Sequence, residues 1–262
     1  MAERLLLGLH YSPWTERARW ALDHHRLDYR YQEHTPLIGE AALRVRLHKP
    51  RGRVSVPVLF TPHGAVQGSL AIARFADRIG RAAPLVPPAL EGDVEAWTAR
   101  CDDGANAGRG LVTRAMASSR AALREALPPL VPERLRDLLA PTSGLAVAFV
   151  RRKYDAEGRT DDADEATLGA VLGQIRAALD RGDGYLLGGF GFADIAAATL
   201  LQMVRPVGAP YIVLGPGFTA AWTRERLAAR FADLLAWRDG IYARHRRPGA
   251  EPADDRRERA TE

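Results

Sequence analysis

The chain has 262 residues, enough for one large domain or two of ordinary size, and its 47% hydrophobic and 26% charged residues are typical of soluble globular proteins. Its one cysteine, Cys101, excludes an intramolecular disulfide and a thiolate metal cluster, and no apolar run is long enough to predict a signal peptide or a membrane span. We therefore expect a cytoplasmic protein. The net charge of +5 comes from residues 1–90, which hold 13 Lys and Arg against 7 Asp and Glu.

The first third of the chain predicts a small sheet with helices on both faces. Residues 5–9 form an apolar run typical of a buried strand, and 13–25 follow a helical period. A second strand is predicted at 29–33 and a second helix at 39–48. Residues 54–60 are β-branched and apolar, 65–66 complete a hairpin, and Ser69 begins a third helix. The predicted order is βαβαββα.

Pro57 lies inside the apolar run 54–60, where a proline is unexpected. Proline within a sheet-like run normally marks an edge or a special bend. A cis peptide bond between Val56 and Pro57 would reconcile the two patterns.

Ser12, between the first predicted strand and the first predicted helix, places a hydroxyl group at the start of that helix. Ser12 precedes Pro13, and proline at the first helical position sacrifices no hydrogen bond, so Ser12 is predicted as the N-cap. The free amides and the dipole at a helix start favour an anion, which could be a thiolate, a phosphate or a carboxylate. The alternative interpretation is a plain N-cap without a ligand.

The densest basic segment is RVRLHKPRGR at residues 44–53. Such a segment can contact nucleic acid, an anionic membrane or a small acidic ligand, or it can remain a solvated loop. No aromatic residue is interleaved with these charges, which argues against single-stranded nucleic acid.

Residues 83–88, APLVPP, form a proline-rich break beyond which the strand signals largely vanish. We therefore predict an N-terminal domain at 1–82, a linker at 83–91 and an all-helical domain at 92–245. The predicted helices of the second domain are 92–127, 133–154, 163–181, 193–205 and 219–243, and Pro141 is expected to divide the second of them. Residues 246–262 mix charges with Pro and Gly and predict a disordered tail.

Four short motifs, in this order and spacing, are similar to those of one protein family. They are SPWTERAR at 12–19, VPVL at 56–59, GSLAIA at 68–73 and FADI at 192–195. The chain resembles the soluble, cytosolic-type glutathione S-transferase family, in particular its serine-type, bacterial-like members. The resemblance implies an α/β thioredoxin-like N-terminal domain that binds glutathione and an all-α helical-bundle C-terminal domain that supplies the second-substrate pocket. It also implies a homodimer and a role in detoxification.

The resemblance implies that Ser12 is catalytic, because the hydroxyl at this position in serine-type members donates to the glutathione sulfur. A free thiol has a pKa of ~8.5 and attacks only as the thiolate. Stabilising that anion by ~2 kcal/mol would lower the pKa by about 1.5 units. The implied reaction is attack of glutathione, as co-substrate, on a small apolar electrophile. The alternative is a non-catalytic ligand-binding or protein-interaction module with the same fold.

The resemblance also implies several glutathione-binding positions. Val56 corresponds to the residue whose backbone pairs with the cysteinyl unit, and Pro57 to the family's cis-proline. Ser69 corresponds to the residue that binds the γ-glutamyl carboxylate, with simple helix capping as the alternative. Arg53 is a candidate for binding the glycyl carboxylate.

One position departs from the family pattern. The family often has Glu or Asp directly before the serine that corresponds to Ser69, where the acid receives the γ-glutamyl ammonium. This chain has Gly68 there, preceded by Gln67. Gln67 or a residue of a partner subunit would then have to replace the acid.

Candidates for the second-substrate pocket are Tyr11, Trp14, Trp97 and Met116, although an aromatic residue or Met at helical spacing is more often part of the core. The seven histidines lack a metal-ligand spacing, and we predict no metal. Asp194 of the FADI motif is expected to be structural. We expect neither nucleic acid nor a membrane as a partner.

Overall fold

The computed structural model describes residues 4–37, 39–127, 131–154 and 158–247, which fall into two compact units. The first unit contains the described residues of 1–98, 182–199 and 238–262, and the second contains those of 99–181 and 200–237. Because the first unit combines segments from both ends of the chain, it is not a single stretch of sequence. The predicted division at residues 83–91 remains a prediction.

The N-terminal part of the first unit has the predicted βαβαββα order. Its elements are β1 (Leu5–Gly8), α1 (Pro13–His24), β2 (Arg30–Glu33), α2 (Gly39–Arg46), β3 (Val58–Thr61), β4 (Gly64–Gln67) and α3 (Ser69–Ile79). The strands form one mixed sheet in the order β2-β1-β3-β4. β1 is parallel to β2 and antiparallel to β3, and β3 and β4 form the predicted hairpin.

Alternation along the strands buries apolar side chains on both faces of this sheet. On one face Leu7 and Val58 pack in a cluster with Leu43 of α2. Leu6 and Leu59 alternate with these residues, point to the opposite face and are fully buried. Both faces of the sheet are therefore covered, as the sequence predicts.

The strand predicted at 54–60 begins only at Val58, whereas residues 54–57 are irregular. Proline has no N–H to donate to a strand ladder, so regular pairing starts after Pro57. The peptide bond between Val56 and Pro57 is cis, which confirms the prediction from the sequence.

Beyond residue 83, every regular element of the described residues is a helix, so the predicted helical C-terminal region is confirmed. The α-helices are α4 (Glu91–Ala117), α5 (Arg120–Glu125), α6 (Glu133–Lys153), α7 (Asp161–Leu179), α8 (Phe192–Leu200), α9 (Pro216–Trp222), α10 (Glu225–Arg230) and α11 (Ala232–His245). The region predicted as one helix at 219–243 thus contains parts of three helices. No helix of the described residues is long and apolar enough to cross a membrane.

The expectation that Pro141 divides a helix is wrong, because α6 continues through it. Proline removes the hydrogen bond to the carbonyl four residues earlier, here that of Asp137. The Arg120 guanidinium donates to this carbonyl oxygen at 3.3 Å. A side chain from another helix therefore replaces the missing backbone donor.

The end of the described chain is anchored to α1. Arg246 is 4% exposed and Glu16 is fully buried. Arg246 Nε donates to Glu16 Oε1 at 2.7 Å, and Arg246 Nη1 donates to Asp23 Oδ2 at 2.6 Å. The first residue of the tail predicted at 246–262 therefore belongs to the first unit, and residues 248–262 lie outside the described part of the chain.

Candidate functional site

The register of the sheet brings three segments to one of its ends. Leu7, near the end of β1, pairs with Val58 at the start of β3, and Val58 pairs with Gln67 at the end of β4. The loop from β1 to Ser12, the cis peptide that precedes Val58, and the turn from β4 into α3 therefore leave the sheet at the same end. We call Ser12, Val56, Pro57, Gln67 and Ser69 at this end the candidate site.

Ser12 is the N-cap of α1, but its hydroxyl does not act as a cap. Its backbone has φ −79° and ψ 128°, Pro13 is the first helical residue, and the side chain makes no capping hydrogen bond. The residue is 9% exposed, and its hydroxyl has no hydrogen-bond partner among the described residues. The Thr15 hydroxyl, by contrast, accepts a hydrogen bond from the Leu9 amide at 3.1 Å. The Ser12 hydroxyl is thus available to donate to an anion at the helix start.

At the candidate site, the backbone amide and carbonyl of Val56 are available for hydrogen bonding. It is half-buried and packs against the cluster formed by Leu7, Leu43, Val54 and Val58. No hydrogen bond of the described residues involves its backbone amide or carbonyl, whereas the next carbonyl, of Pro57, accepts from the Gly68 amide at 3.0 Å. Since backbone donors and acceptors need partners, an extended peptide could pair with Val56.

The start of α3 presents a second serine hydroxyl. Ser69 is the first residue of this helix, is 5% exposed, and has a hydroxyl without a partner among the described residues. Gly68 precedes it with φ +89°, a conformation that favours glycine. The Gln67 side-chain carbonyl accepts a hydrogen bond from Lys49 Nζ at 3.4 Å. This helix start can receive a carboxylate, but Gly68 supplies no acid for an ammonium group.

Arg53 is exposed on the segment that leads to the cis peptide. Arg44, on α2, donates to the carbonyl oxygen of neighbouring Gly52 at 2.6 Å and so holds the segment near α2. The role of Arg53 toward a carboxylate remains a prediction.

The four residues predicted for a second-substrate pocket lie on different elements. Tyr11 is directly adjacent to Ser12, and half-buried Trp14 lies in the first turn of α1. Trp97 is half-buried on α4 in the first unit, whereas Met116 is a buried residue of α4 in the second. By sequence and helix position, Tyr11 and Trp14 lie next to Ser12. A shared pocket that also includes Trp97 and Met116 remains a prediction.

Glu33, at the end of β2, is hydrogen bonded to its neighbours and influences the pKa of the Tyr11 phenol. Glu33 accepts from the His10 amide at 3.2 Å and from the Tyr31 hydroxyl at 2.5 Å. Burial, followed by the charge of Glu33, raises the pKa of the Tyr11 phenol above its ordinary value. Tyr11 therefore stays protonated at neutral pH and remains a hydrogen-bond donor.

Some residues that shape the site were not identified from the sequence. The sequence shows that segment 44–53 is basic, but it does not predict the contact of Lys49 with Gln67, because this contact depends on how the segment folds against β4. Glu16, in the first turn of α1, pairs with Arg246, which is 230 positions away, and no local pattern indicates this contact. Among the described residues, no three His, Cys, Asp or Glu side chains form a group that could hold a metal ion.

Residues 6–83 match the family model described as glutathione S-transferase, N-terminal domain. This match covers the candidate site and the whole sheet except Leu5, the first residue of β1. No curated protein sequence matches the chain.

Several solved structures are similar to this chain over nearly its full length. A glutathione S-transferase from Methylobacillus flagellatus with glutathione bound has 19% identity and a TM-score of 0.52, with 93% of this chain and 96% of that chain covered. One from Methylobacterium radiotolerans, in complex with glutathione sulfonate, has 20% identity and a TM-score of 0.55 over 92% of this chain and 91% of that one. A glutathione transferase from Phanerochaete chrysosporium has 19% identity and a TM-score of 0.63 over 94% and 98%. These similarities confirm the predicted fold class.

Proposed function

We propose that this chain is a glutathione transferase in which Ser12 holds the glutathione thiol as a thiolate for attack on a small apolar electrophile. The observation that carries the proposal is the Ser12 hydroxyl, which is almost buried at the start of α1 and is not used for capping. The match of residues 6–83 to the N-terminal family model supports the choice of glutathione as the thiol. Two of the similar structures contain glutathione or glutathione sulfonate, which also supports it.

The expected effect of Ser12 follows from the energy of a hydrogen bond to a charged group. Such a bond is worth ~1.5–3 kcal/mol, and ~1.4 kcal/mol shifts a pKa by about one unit. One donor from Ser12, with the dipole of α1, would bring a thiol pKa from ~8.5 to about 7. The thiol proton would pass to solvent, and the thiolate sulfur would form a bond to the electrophilic carbon as the leaving group departs with its electron pair.

The other site residues would bind the rest of the tripeptide. The Val56 backbone would pair with the cysteinyl unit, next to the cis peptide at Pro57. The Ser69 hydroxyl and the start of α3 would receive the γ-glutamyl carboxylate, with Gln67 beside it. Arg53 would receive the glycyl carboxylate, and Tyr11, Trp14, Trp97 and Met116 would line the pocket for the electrophile.

We also propose for this protein the wider properties that the resemblance implies. The protein would be a cytoplasmic homodimer of serine-type, bacterial-like subunits, divided into domains at 1–82 and 92–245 and active in detoxification. It would need no metal and would have neither nucleic acid nor a membrane as its partner. A steep dependence of DNA affinity on salt would contradict this part of the proposal.

A second candidate function is a non-catalytic ligand-binding or protein-interaction module. Gly68 favours it, because this residue has no side chain with which to bind the γ-glutamyl ammonium of glutathione. This module would be a folded protein without thiol-transfer activity above background.

Calorimetric titration with reduced glutathione and with S-hexylglutathione separates the two functions. A transferase should bind glutathione with micromolar to low-millimolar affinity and the alkylated form more tightly, because its apolar chain enters the adjacent pocket. Failure to bind either compound would favour the module.

Two serine variants test the assigned roles. Ser12→Ala should raise the pKa of the bound thiol by about one unit, read from thiolate absorbance against pH, and should lower turnover. Ser69→Ala should instead weaken glutathione affinity about tenfold without moving that pKa. Ser143→Ala is the matched control, because Ser143 on α6 is also buried and its hydroxyl has no partner among the described residues. A wild-type pKa and rate in Ser12→Ala would refute its catalytic role.

A further inference from the structure

The segment that contains four of the five candidate-site residues carries positive charges only. Residues 41–76 contain six Lys and Arg and no Asp or Glu. This stretch includes most of α2, the cis peptide, both strands of the hairpin and the start of α3. A ligand that binds to this segment can therefore contact its cations and backbone amides, but the segment itself supplies no carboxylate.

The carboxylates that flank this segment along the chain are already engaged. Glu40, just before it, is ion paired with Arg44 at 3.2 Å. Asp77, just after it, lies in the last turns of α3, where it pairs with His25 Nε2 at 2.7 Å and accepts from the Leu85 and Val86 amides. Neither acid is placed to receive a cation at the start of α3, since Asp77 lies eight residues, about 12 Å, along the helix from Ser69.

A cation lies beside the residue that precedes Gly68, the position at which the family often has an acid for the γ-glutamyl ammonium. Lys49 Nζ contacts Gln67 Oε1 at 3.4 Å, two residues before Ser69. Gly68, between them, has φ +89°, and a carboxylate side chain there would have to adopt a strained backbone conformation. The α-carboxylate of a γ-glutamyl group would gain from Ser69 and the helix dipole. The ammonium on the same carbon would be repelled by Lys49, and the Gln67 side-chain carbonyl already accepts a hydrogen bond from that lysine, so no carboxylate of this segment offsets the loss of water.

We infer that the thiol this site binds best carries the carboxylates of glutathione but no ammonium group beside the carboxylate that Ser69 receives. This inference rests on the proposed function, since it concerns the thiol substrate of the same site. The favoured substrate class is an N-acyl cysteinyl peptide whose acyl group ends in a bare carboxylate. Glutathione itself is then a weaker ligand than its desamino form.

Three thiols of matched size test this charge preference on the full chain. Glutathione carries both the α-carboxylate and the ammonium, glutaryl-cysteinylglycine carries only the carboxylate, and γ-aminobutyryl-cysteinylglycine carries only the ammonium. Calorimetric dissociation constants should rank the glutaryl peptide first, at least about threefold tighter than glutathione, with the aminobutyryl peptide the weakest. Glutathione binding as tightly as the glutaryl peptide would overturn the inference while leaving the proposed function in place. Binding of none of the three would overturn the proposed function itself.

A pair of charge reversals identifies the source of the preference. Lys49→Glu should reduce or invert the ratio of the two affinities, because it places a carboxylate beside the bound ammonium. Arg81→Glu is the matched control: it makes the same change in net charge at an exposed position just beyond the other end of α3, and it should keep the wild-type ratio. An unchanged ratio in Lys49→Glu would show that the charge at this position does not select the thiol, and the inference would be wrong.

Discussion

The starts of α1 and α3 differ from the start of α8 in how their polar groups are used. At α8 the Asp194 carboxylate is fully buried and accepts hydrogen bonds from the Leu186 amide at 2.9 Å and the Gly191 amide at 3.0 Å. At α1 and α3 the hydroxyls of Ser12 and Ser69 are nearly buried but have no partner among the described residues. Polar groups of the first kind stabilise the fold, whereas those of the second kind remain available to a ligand. Substitutions at the two kinds of site should therefore affect different measurements.

The largest loss of stability is expected at the buried ion pair between Arg246 and Glu16 of α1. Arg246→Ala leaves Glu16 as a buried carboxylate without its partner, which should lower the free energy of unfolding by about 3–5 kcal/mol. Urea unfolding measures this change. Replacing both members, as Glu16→Gln with Arg246→Met, should recover part of it, because the fully buried Glu16 is then uncharged, whereas Asp23 still loses its contact with Arg246.

Arg247→Ala provides the matched control for this pair. Arg247 is the exposed neighbour of Arg246, and its loss should change the free energy of unfolding by less than about 0.5 kcal/mol. Equal stability of the Arg246→Ala and Arg247→Ala variants would show that the anchor does not form in solution.

Asp194 should make the stability of the fold depend on pH. Burial raises its pKa to about 6 from the ordinary 3.8, even though the amide hydrogen bonds act in the opposite direction. The folded state therefore holds this proton more tightly than the unfolded chain does. The stabilisation is complete below about pH 4 and is lost as the pH rises through about 6, with a total change of about 3 kcal/mol.

The variant Asp194→Asn isolates this contribution, because its side chain does not titrate. Free energies of unfolding measured from pH 4 to 7 should fall more steeply in the wild type than in the variant. Parallel curves would mean that Asp194 has the same pKa in the folded and unfolded states, and that its buried amide contacts compensate burial fully.

The sequence predicted the features that depend on neighbouring residues. The start of α1 follows from Ser12 and Pro13, and the cis peptide follows from a proline inside an apolar run. The βαβαββα order follows from hydrophobic periodicity in segments of four to twelve residues. Such patterns also predicted that Ser12 and Ser69 of the candidate site lie at helix starts.

Features that depend on distant partners could not be predicted in this way. Pro141 is accommodated because Arg120 donates to the carbonyl that the proline leaves without a partner, and no pattern around Pro141 indicates this. The local sequence predicts that Arg246 belongs to a disordered charged tail, yet its guanidinium donates hydrogen bonds to Glu16 and Asp23. Likewise, local sequence does not show that Lys49 contacts Gln67, because this contact depends on the fold of the segment between α2 and β3.

The smallest expected effect distinguishes the two uses of serine at a helix start. Ser119 is the N-cap of α5, and its hydroxyl accepts a hydrogen bond from the Ala122 amide at 3.2 Å. Ser119→Ala should therefore lower the free energy of unfolding by about 1 kcal/mol. Ser12→Ala removes a hydroxyl that caps no amide, so its effect on stability should stay within about 0.5 kcal/mol. If urea unfolding gave the two variants the same loss, Ser12 would be a helix cap in solution, and its availability to a thiolate would no longer be supported.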